Sequence, residues 1–440
     1  MKRHKIIAAG LCGLTAAAVL LASGCSLGGE RLSGGESSEA GKENKMVNTH
    51  VTYIEGNSEK QTETGTNTDT KTSKTSKAET SAEAEEPLQL EIPDTAEYLA
   101  DFLSADEKLV FSQLYSGLAD FETDIDIKNS VIYKDDIGAF ISMLTAACPY
   151  IDYIGSEYTI CMDAEGYVSA IEVTYDRSRE QAEQETAAVE QRIAEIIAGV
   201  EDGWTDYDKA LYFHDSIILN CQYDDGADNP YSAYGCLIEG KAVCEGYAKA
   251  MQLLCTRAGL KCLPVAGKAY DGGTVQPHLW NKVRLDGEWV NIDLTWDDPV
   301  TDAGEDYIRY DYFGLTDAEC AKDHTVDENK YVNYPEAFSS AANYYKRTGL
   351  YAESDDDIFS LMCSSVEKAM GEKGIARLKC ADEDVYNAAV EELFGGDGTV
   401  IFDVLKEAYS RQGGDWSTGS YAVIKNSELY TITVMLYKNE

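Results

Sequence analysis

Three residues near the middle of this 440-residue chain have the types and spacing of a thiol nucleophile, a base and an orienting acid: Cys244, His278 and Asp293. In GKAVCEGYAKAMQLLCTRAGL, residues 240 to 260, Tyr247, Ala248, Met251, Leu254, Cys255 and Ala258 recur three or four apart, and Gly259 follows as a stop. That periodicity predicts a helix with Cys244 at, or just inside, its N-terminus. Unpaired backbone N–H groups and the helix dipole favour an anion there, which holds a thiol toward its nucleophilic thiolate. The same N–H groups face any oxyanion that develops on a carbonyl under attack. A cysteine that opens a helix is more often a small buried hydrophobe, so the chemistry requires a base.

Five histidines are available. His4 and His50 fall in the first sixty residues, in segments without a folded pattern. His214, in YDKALYFHDSIILN, lies at helical spacing from Leu211 and Ile218 and reads as a packed or capping residue. His324, in the polar stretch AKDHTVDE, reads as surface.

His278 stands in PHLWNKVRLDGEWVNIDLTWDDP. Asp286-Gly287 between two alternating runs is a strong two-residue hairpin signal and pairs Leu285 with Glu288. Counted outward, Val283 meets Val290, Trp280 meets Asp293 and His278 meets Thr295. His278, Trp280, Asp293 and Thr295 then share one face, while Leu279, Val283, Ile292, Leu294 and Trp296 line the other. In that register His278 and Asp293 are diagonal neighbours, on the order of 7–8 Å apart at the backbone. The carboxylate would fix the imidazole tautomer and the other ring nitrogen would meet the Cys244 sulfur. Trp280 is a candidate wall of a substrate cleft, and Trp289 and Trp296 read as sheet core.

The elements that must carry these residues follow from the rest of the chain. Residues 1–24 have the basic start, apolar run and small-residue end of a signal peptide, and Cys25 directly after them is a candidate for lipidation, which would anchor the mature chain to the outer face of the membrane. Residues 25–92 are rich in Ser, Thr, Glu and Lys and nearly devoid of large apolar side chains, the composition of a flexible tether. Residues 93–200 alternate helical and strand patterns: a capping box at Ser104 and Glu107, a helix through Ile137 to Leu144, a hairpin turning at Ala164 to Gly166, and a long helix from Ser178 to Ala198. Residues 201–348 hold the three reactive residues, and residues 349–440 predict two amphipathic helices and a hairpin turning at Asn426 and Ser427. The acidic run Asp355 to Asp357 lacks calcium-loop spacing and reads as a helix cap.

Charge and cysteine usage exclude some partners. With 78 acidic against 37 basic residues the net charge is −41, which leaves no basic footprint for nucleic acid. Of twelve cysteines, Cys12 and Cys25 lie at the front and ten remain. Cys148 and Cys161 are one candidate disulfide, though spacing does not fix connectivity. No cysteine or histidine cluster has zinc spacing, so neither a metal nor another cofactor is expected.

GKAVCEGYAKAMQLL, the HLWN around His278 and WVNIDLTWDDP, in that order, resemble the three signature blocks of the bacterial transglutaminase-like superfamily over about residues 205 to 325. The resemblance implies Cys244 as nucleophile, His278 as base and then acid, and Asp293 as the orienting carboxylate. It also implies an α+β, papain-like core, a cysteine-bearing helix packed on an antiparallel sheet, flanked here by smaller α+β domains. Leu279 stands where the family usually has a small residue, on the face the register turns to the core. Tyr234, in SAYGCL, is the candidate second oxyanion donor, and His-Asp in a helix, as at His214, is a framework feature of such proteins. The implied chemistry is acyl transfer or hydrolysis at amides of a protein or peptide substrate, with no cofactor. A rival reading is a silent surface module that grips peptide or cell-wall glycan.

Overall fold

The computed structural model describes residues 90–439 except 272, 300–306 and 396–399, together with the backbone of two short strands, His4–Ala9 and Thr52–Tyr53. Apart from those strands, the leader, Cys25 and the tether to residue 89 lie outside the described residues. The described chain is a mixture of helix and sheet around three large apolar clusters and two small ones.

In the first part, Ser104 and Glu107 close the expected capping box on helix α1, Ala105–Ala119, whose inner face is Val110, Leu114 and Leu118. Strand β1, Asp124–Asp126, helix α2, Ile137–Ala147, and the hairpin β2, Ile154–Met162, and β3, Val168–Tyr175, complete this core, with β1 paired to β3 and the strand His4–Ala9 paired to β2. Helix α3, Arg179–Ile197, is capped by Ser178. Ala182 packs into the first core, but Val189, Ile193 and Ile196 pack into the middle one. The expected division at residue 200 therefore follows a helix whose buried face already belongs to the second unit.

The middle unit is built on helix α5, Cys244–Arg257, which is buried from Glu245 to Cys255 with helix α4, Asp206–Ile218, beside it. Such complete burial explains why its apolar positions extend around the helix rather than along one stripe. Under it lies an antiparallel sheet ordered β7, β6, β5, β4, β8, composed of β4, Cys262–Asp271, β5, Thr274–Leu285, β6, Glu288–Ile292, β7, Phe313–Leu315, and β8, His324–Val326. Asp286 and Gly287 both have positive φ, +51° and +98°, as the tight β5–β6 turn demands. Leu285 pairs with Glu288 and Val283 with Val290, the register expected.

The last unit is an α+β layer. Strands β9, Tyr351–Ala352, β10, Ile375–Cys380, β12, Thr431–Lys438, and β11, Trp416–Asn426, form a sheet in the order β9, β10, β12, β11. Three helices, not two, pack with it: α7, Ile358–Gly371, α8, Glu383–Phe394, and α9, Val400–Gln412. The closing hairpin turns through four residues, since Asn426 pairs with Thr431 and its side chain accepts from the N–H groups of Glu428 and Leu429. Asp355–Asp357 is a short 3-10 turn leading into α7, with no side-chain capping bond. The acids there still complement the positive end of the dipole. Among the described residues no helix is long and apolar enough to cross a membrane.

Candidate active site

Cys244 is the first residue of α5, behind Val243, whose side chain makes no capping bond. The Gly246 and Tyr247 N–H groups bond back to the Val243 carbonyl, so those of Cys244 and Glu245 are the ones left at the sulfur's end of the helix. None of the ten cysteines in the described residues forms a disulfide, Cys148 and Cys161 included, and Cys244 is the one that is not buried. The possible Cys148–Cys161 disulfide is therefore not formed, and Cys161 instead lies beside Glu172.

Strand β5 delivers His278 to the helix start. Asn281, three residues on, donates from its side chain to the Ala248 carbonyl, and so ties the strand to the first turns of α5. His278 Nε2 is 2.6 Å from Asp293 Oδ2. The Cys244 sulfur is near enough to act on the charge of the ring, and Nδ1 is the nitrogen that Asp293 leaves over. Burial alone would lower the imidazole pKa, but the Asp293 charge and hydrogen bond, with Cys244 beside it, hold it up at about 10. The structure brings Cys244, His278 and Asp293 together.

Asp293 stands where the register placed it, one step past the last β5–β6 pair, but the strand has ended. It is the N-cap of the short helix α6, Leu294–Asp297, and its Oδ1 accepts from the N–H groups of Thr295 and Trp296. Thr295 is therefore a helix residue and does not face His278 across a ladder. Burial pushes the Asp293 carboxyl up, yet the charges and hydrogen bonds of two histidines hold it well below the usual range.

The second of those histidines is His324, expected at the surface and found only 2% exposed. Its Nε2 lies 3.0 Å from the same Asp293 Oδ2, and its Nδ1 lies 2.6 Å from Asp323 Oδ1. Little in the sequence signals this burial, because β8 has three residues, too few for an alternating pattern, and its polar partners lie far away or in a polar context. His278, Asp293 and His324 form a buried cluster of metal-binding residue types. Both imidazole Nε2 atoms, however, aim at one oxygen at hydrogen-bond distance, so protons already fill the space that a cation would need.

Other residues move relative to expectation. Trp280 is 2% exposed, lies near-parallel to His278 with ring centres 6.2 Å apart, and donates to Asn291 Oδ1. It supports the imidazole from within and does not line a cleft. Trp296 turns toward the cluster, 4.6 Å from the His324 ring, because α6 breaks the strand alternation that assigned it to the other face. Trp289 packs on Tyr98 of the first unit, so it joins units and is not sheet core. Tyr234 packs against the middle core. The phenols close enough to feel a charge on Cys244 are Tyr223 and Tyr231, both raised first by burial and then by neighbouring acids and that sulfur. His214 is a framework residue as expected, fully buried between Asp215 and Asp297 and raised to about 9. Burial comes first there and acts downward, and the two carboxylates outweigh it.

A family description of the transglutaminase-like superfamily core matches residues 191–294. The chain carries a transglutaminase-like domain. The match takes in the end of α3, helices α4 and α5 and strands β4 to β6, and ends at the residue after Asp293. Kyphoscoliosis peptidase of Homo sapiens is 36% identical over 70 residues, 14% of this chain and 11% of that protein. The Mus musculus protein of the same name is 30% identical over 103 residues, 21% of this chain and 16% of that one. The chain therefore spans well under a fifth of these relatives' own length. A crystal structure of a candidate cysteine protease from Cytophaga hutchinsonii aligns with 36% of this chain and 55% of its own, at 20% identity and a TM-score of 0.22. Over the matched residues the α+β core is similar to the transglutaminase-like superfamily core.

One position in the domain tests how β8 is held. Gly267 on β4 pairs with His278 on one side and Val326 on the other, and an added Cβ would lie 2.1 Å from the Thr325 carbonyl oxygen and 2.8 Å from the Trp280 ring. Gly267→Ala must therefore push β8, and His324 with it, away from the sheet. The expected result is a loss of about 1–3 kcal/mol in urea unfolding, the usual cost of overpacking. An unchanged midpoint would show that β8 is not seated as described.

Proposed function

We propose that Cys244, His278 and Asp293 are the catalytic triad of a thiol enzyme that acts on amide bonds of a protein or peptide. The observation that carries this reading is the pairing of the one cysteine not buried among the described residues, at a helix start, with an imidazole whose far nitrogen is fixed by a buried carboxylate. The Cys244 thiolate attacks the carbonyl carbon while the carbonyl π pair moves to oxygen, toward the N–H groups of the first turn of α5. As the oxyanion collapses the C–N bond breaks, the leaving amine takes the His278 proton, and a thioester remains. An amine or water then attacks the thioester and gives a proton back to His278, and the C–S bond breaks to restore the thiolate. Asp293 keeps the imidazole in one tautomer throughout.

An amine acceptor gives a crosslink, whereas water gives proteolysis or deamidation. The signal-peptide pattern and Cys25 support an enzyme held by lipid at the outer face of the membrane. The test is incubation with a glutamine-containing peptide and a labelled primary amine, against Cys244→Ala. Label in the peptide supports a transferase, and ammonia or cleavage without label supports a hydrolase. No product from either acceptor would favour the silent binding module.

A further inference from the structure

We propose that His324 is a permanently charged imidazolium that shares Asp293 with His278 and thereby lowers the proton affinity of His278. The inference rests on the reading of His278 as the acid and base of a thiol enzyme and assigns a positioning residue to it. The argument is a count of donors and acceptors. Asp293 Oδ1 is taken by two backbone N–H groups and Oδ2 by two imidazole nitrogens, which leaves no lone pair for a proton of its own. Asp323 Oδ1 faces His324 Nδ1 at 2.6 Å, and its Oδ2 accepts from the Tyr312 hydroxyl at 2.8 Å. Asp293 is accordingly ionised, and both oxygens of Asp323 stand in acceptor positions. Each ring nitrogen of His324 faces one of the two carboxyl groups, and a neutral imidazole has only one N–H to offer.

The groups facing His324 come from several elements: Asp293 at the start of α6, Asp323 next to it in sequence, His278 on β5, and the rings of Trp280, Trp296 and Tyr312. Cys320 lies near enough to feel both acids but stays a thiol, raised by burial first. After burial, which acts downward, Asp293 and Asp323 raise His324, and a charge on His278 lowers it. Such coupling is reciprocal, so a charge on His324 disfavours a second proton on His278. Without His324, Asp293 would hold that proton more tightly, and His278 would be a poorer donor to the leaving amine.

The test is ¹⁵N-histidine NMR of the full-length protein and of His324→Gln, whose amide keeps an N–H for Asp293 but carries no charge. His324 is expected to hold two ring protons from pH 5 to 8. His278 is expected to titrate about two pH units higher in the variant, the effect of a unit charge at the 5.3 Å between ring centres and an effective dielectric of about 20. A merely structural role would leave that titration where it was. An unmoved titration in folded His324→Gln, or a His324 ring that is neutral at pH 7 in the wild type, overturns the proposal. The second observation stands even if the variant does not fold. Iodoacetamide separates the two levels: a wild-type Cys244 that reacts no faster than the other thiols sinks the enzyme reading and this proposal together, whereas normal reactivity with an unmoved His278 overturns this proposal alone.

Discussion

His278→Ala is expected to slow amide turnover by about 10³-fold or more while leaving the protein folded. The size follows from what the ring supplies, a base for the thiol and an acid for the leaving amine, roles worth on the order of 10²–10⁴ each and not additive with the loss of the thiol. The fold survives because Asp293 is not orphaned: His324 and two backbone N–H groups still satisfy it. Residual activity in the double variant Cys244→Ala, His278→Ala should match that of either single variant. Measured turnover within tenfold of wild type would remove His278 from the mechanism.

The second large effect lies at Asp293, where structure and chemistry meet in one carboxylate. Asp293→Ala removes a helix cap and leaves the Nε2 groups of two imidazoles facing no acceptor, at an expected cost of about 3–5 kcal/mol, the range for breaking a buried charged pair. Asp293→Asn can keep the cap through its carbonyl oxygen but turns an NH₂ group toward two ring nitrogens that donate. To relieve that clash His278 must take the other tautomer, which puts its proton on the sulfur side and removes the base. The expected pattern is a loss of about 10³-fold in turnover for both variants, with a much smaller stability loss for Asn than for Ala. Urea midpoints and turnover read it directly. Equal stability in both variants would mean that the cap contributes little, and near-normal turnover in Asn would mean that Asp293 does not fix the tautomer.

The sequence made visible what local chemistry decides. The capping box at Ser104, the helix opening at Cys244 and the Asp286-Gly287 turn each depend on residues within one turn or one hairpin of each other. The turn in turn fixed the register that brings His278 and Asp293 to one place. What was hidden depends on partners distant in the chain or on a change of element within a pattern. Alternation carried through Thr295 and Trp296 because nothing in apolar spacing says that Asp293 will stop being a strand residue and become a cap. His324 looked exposed because its surroundings in sequence are polar, whereas in space Asp323 and Asp293 supply the acceptors that let a histidine be buried. Tyr234, the candidate oxyanion donor, packs against the middle core, because the loop before α5 folds so that Tyr223 and Tyr231 come close to Cys244 instead.

The most direct measurement is site-resolved alkylation of the native protein with limiting iodoacetamide near pH 6, read by peptide mass spectrometry across all of its thiols. At that pH an ordinary thiol of pKa about 8.5 is almost wholly protonated. Label confined to Cys244, and slowed at least tenfold by His278→Ala, is the predicted result. Uniform slow labelling, or a Cys244 rate indifferent to His278, would contradict the account.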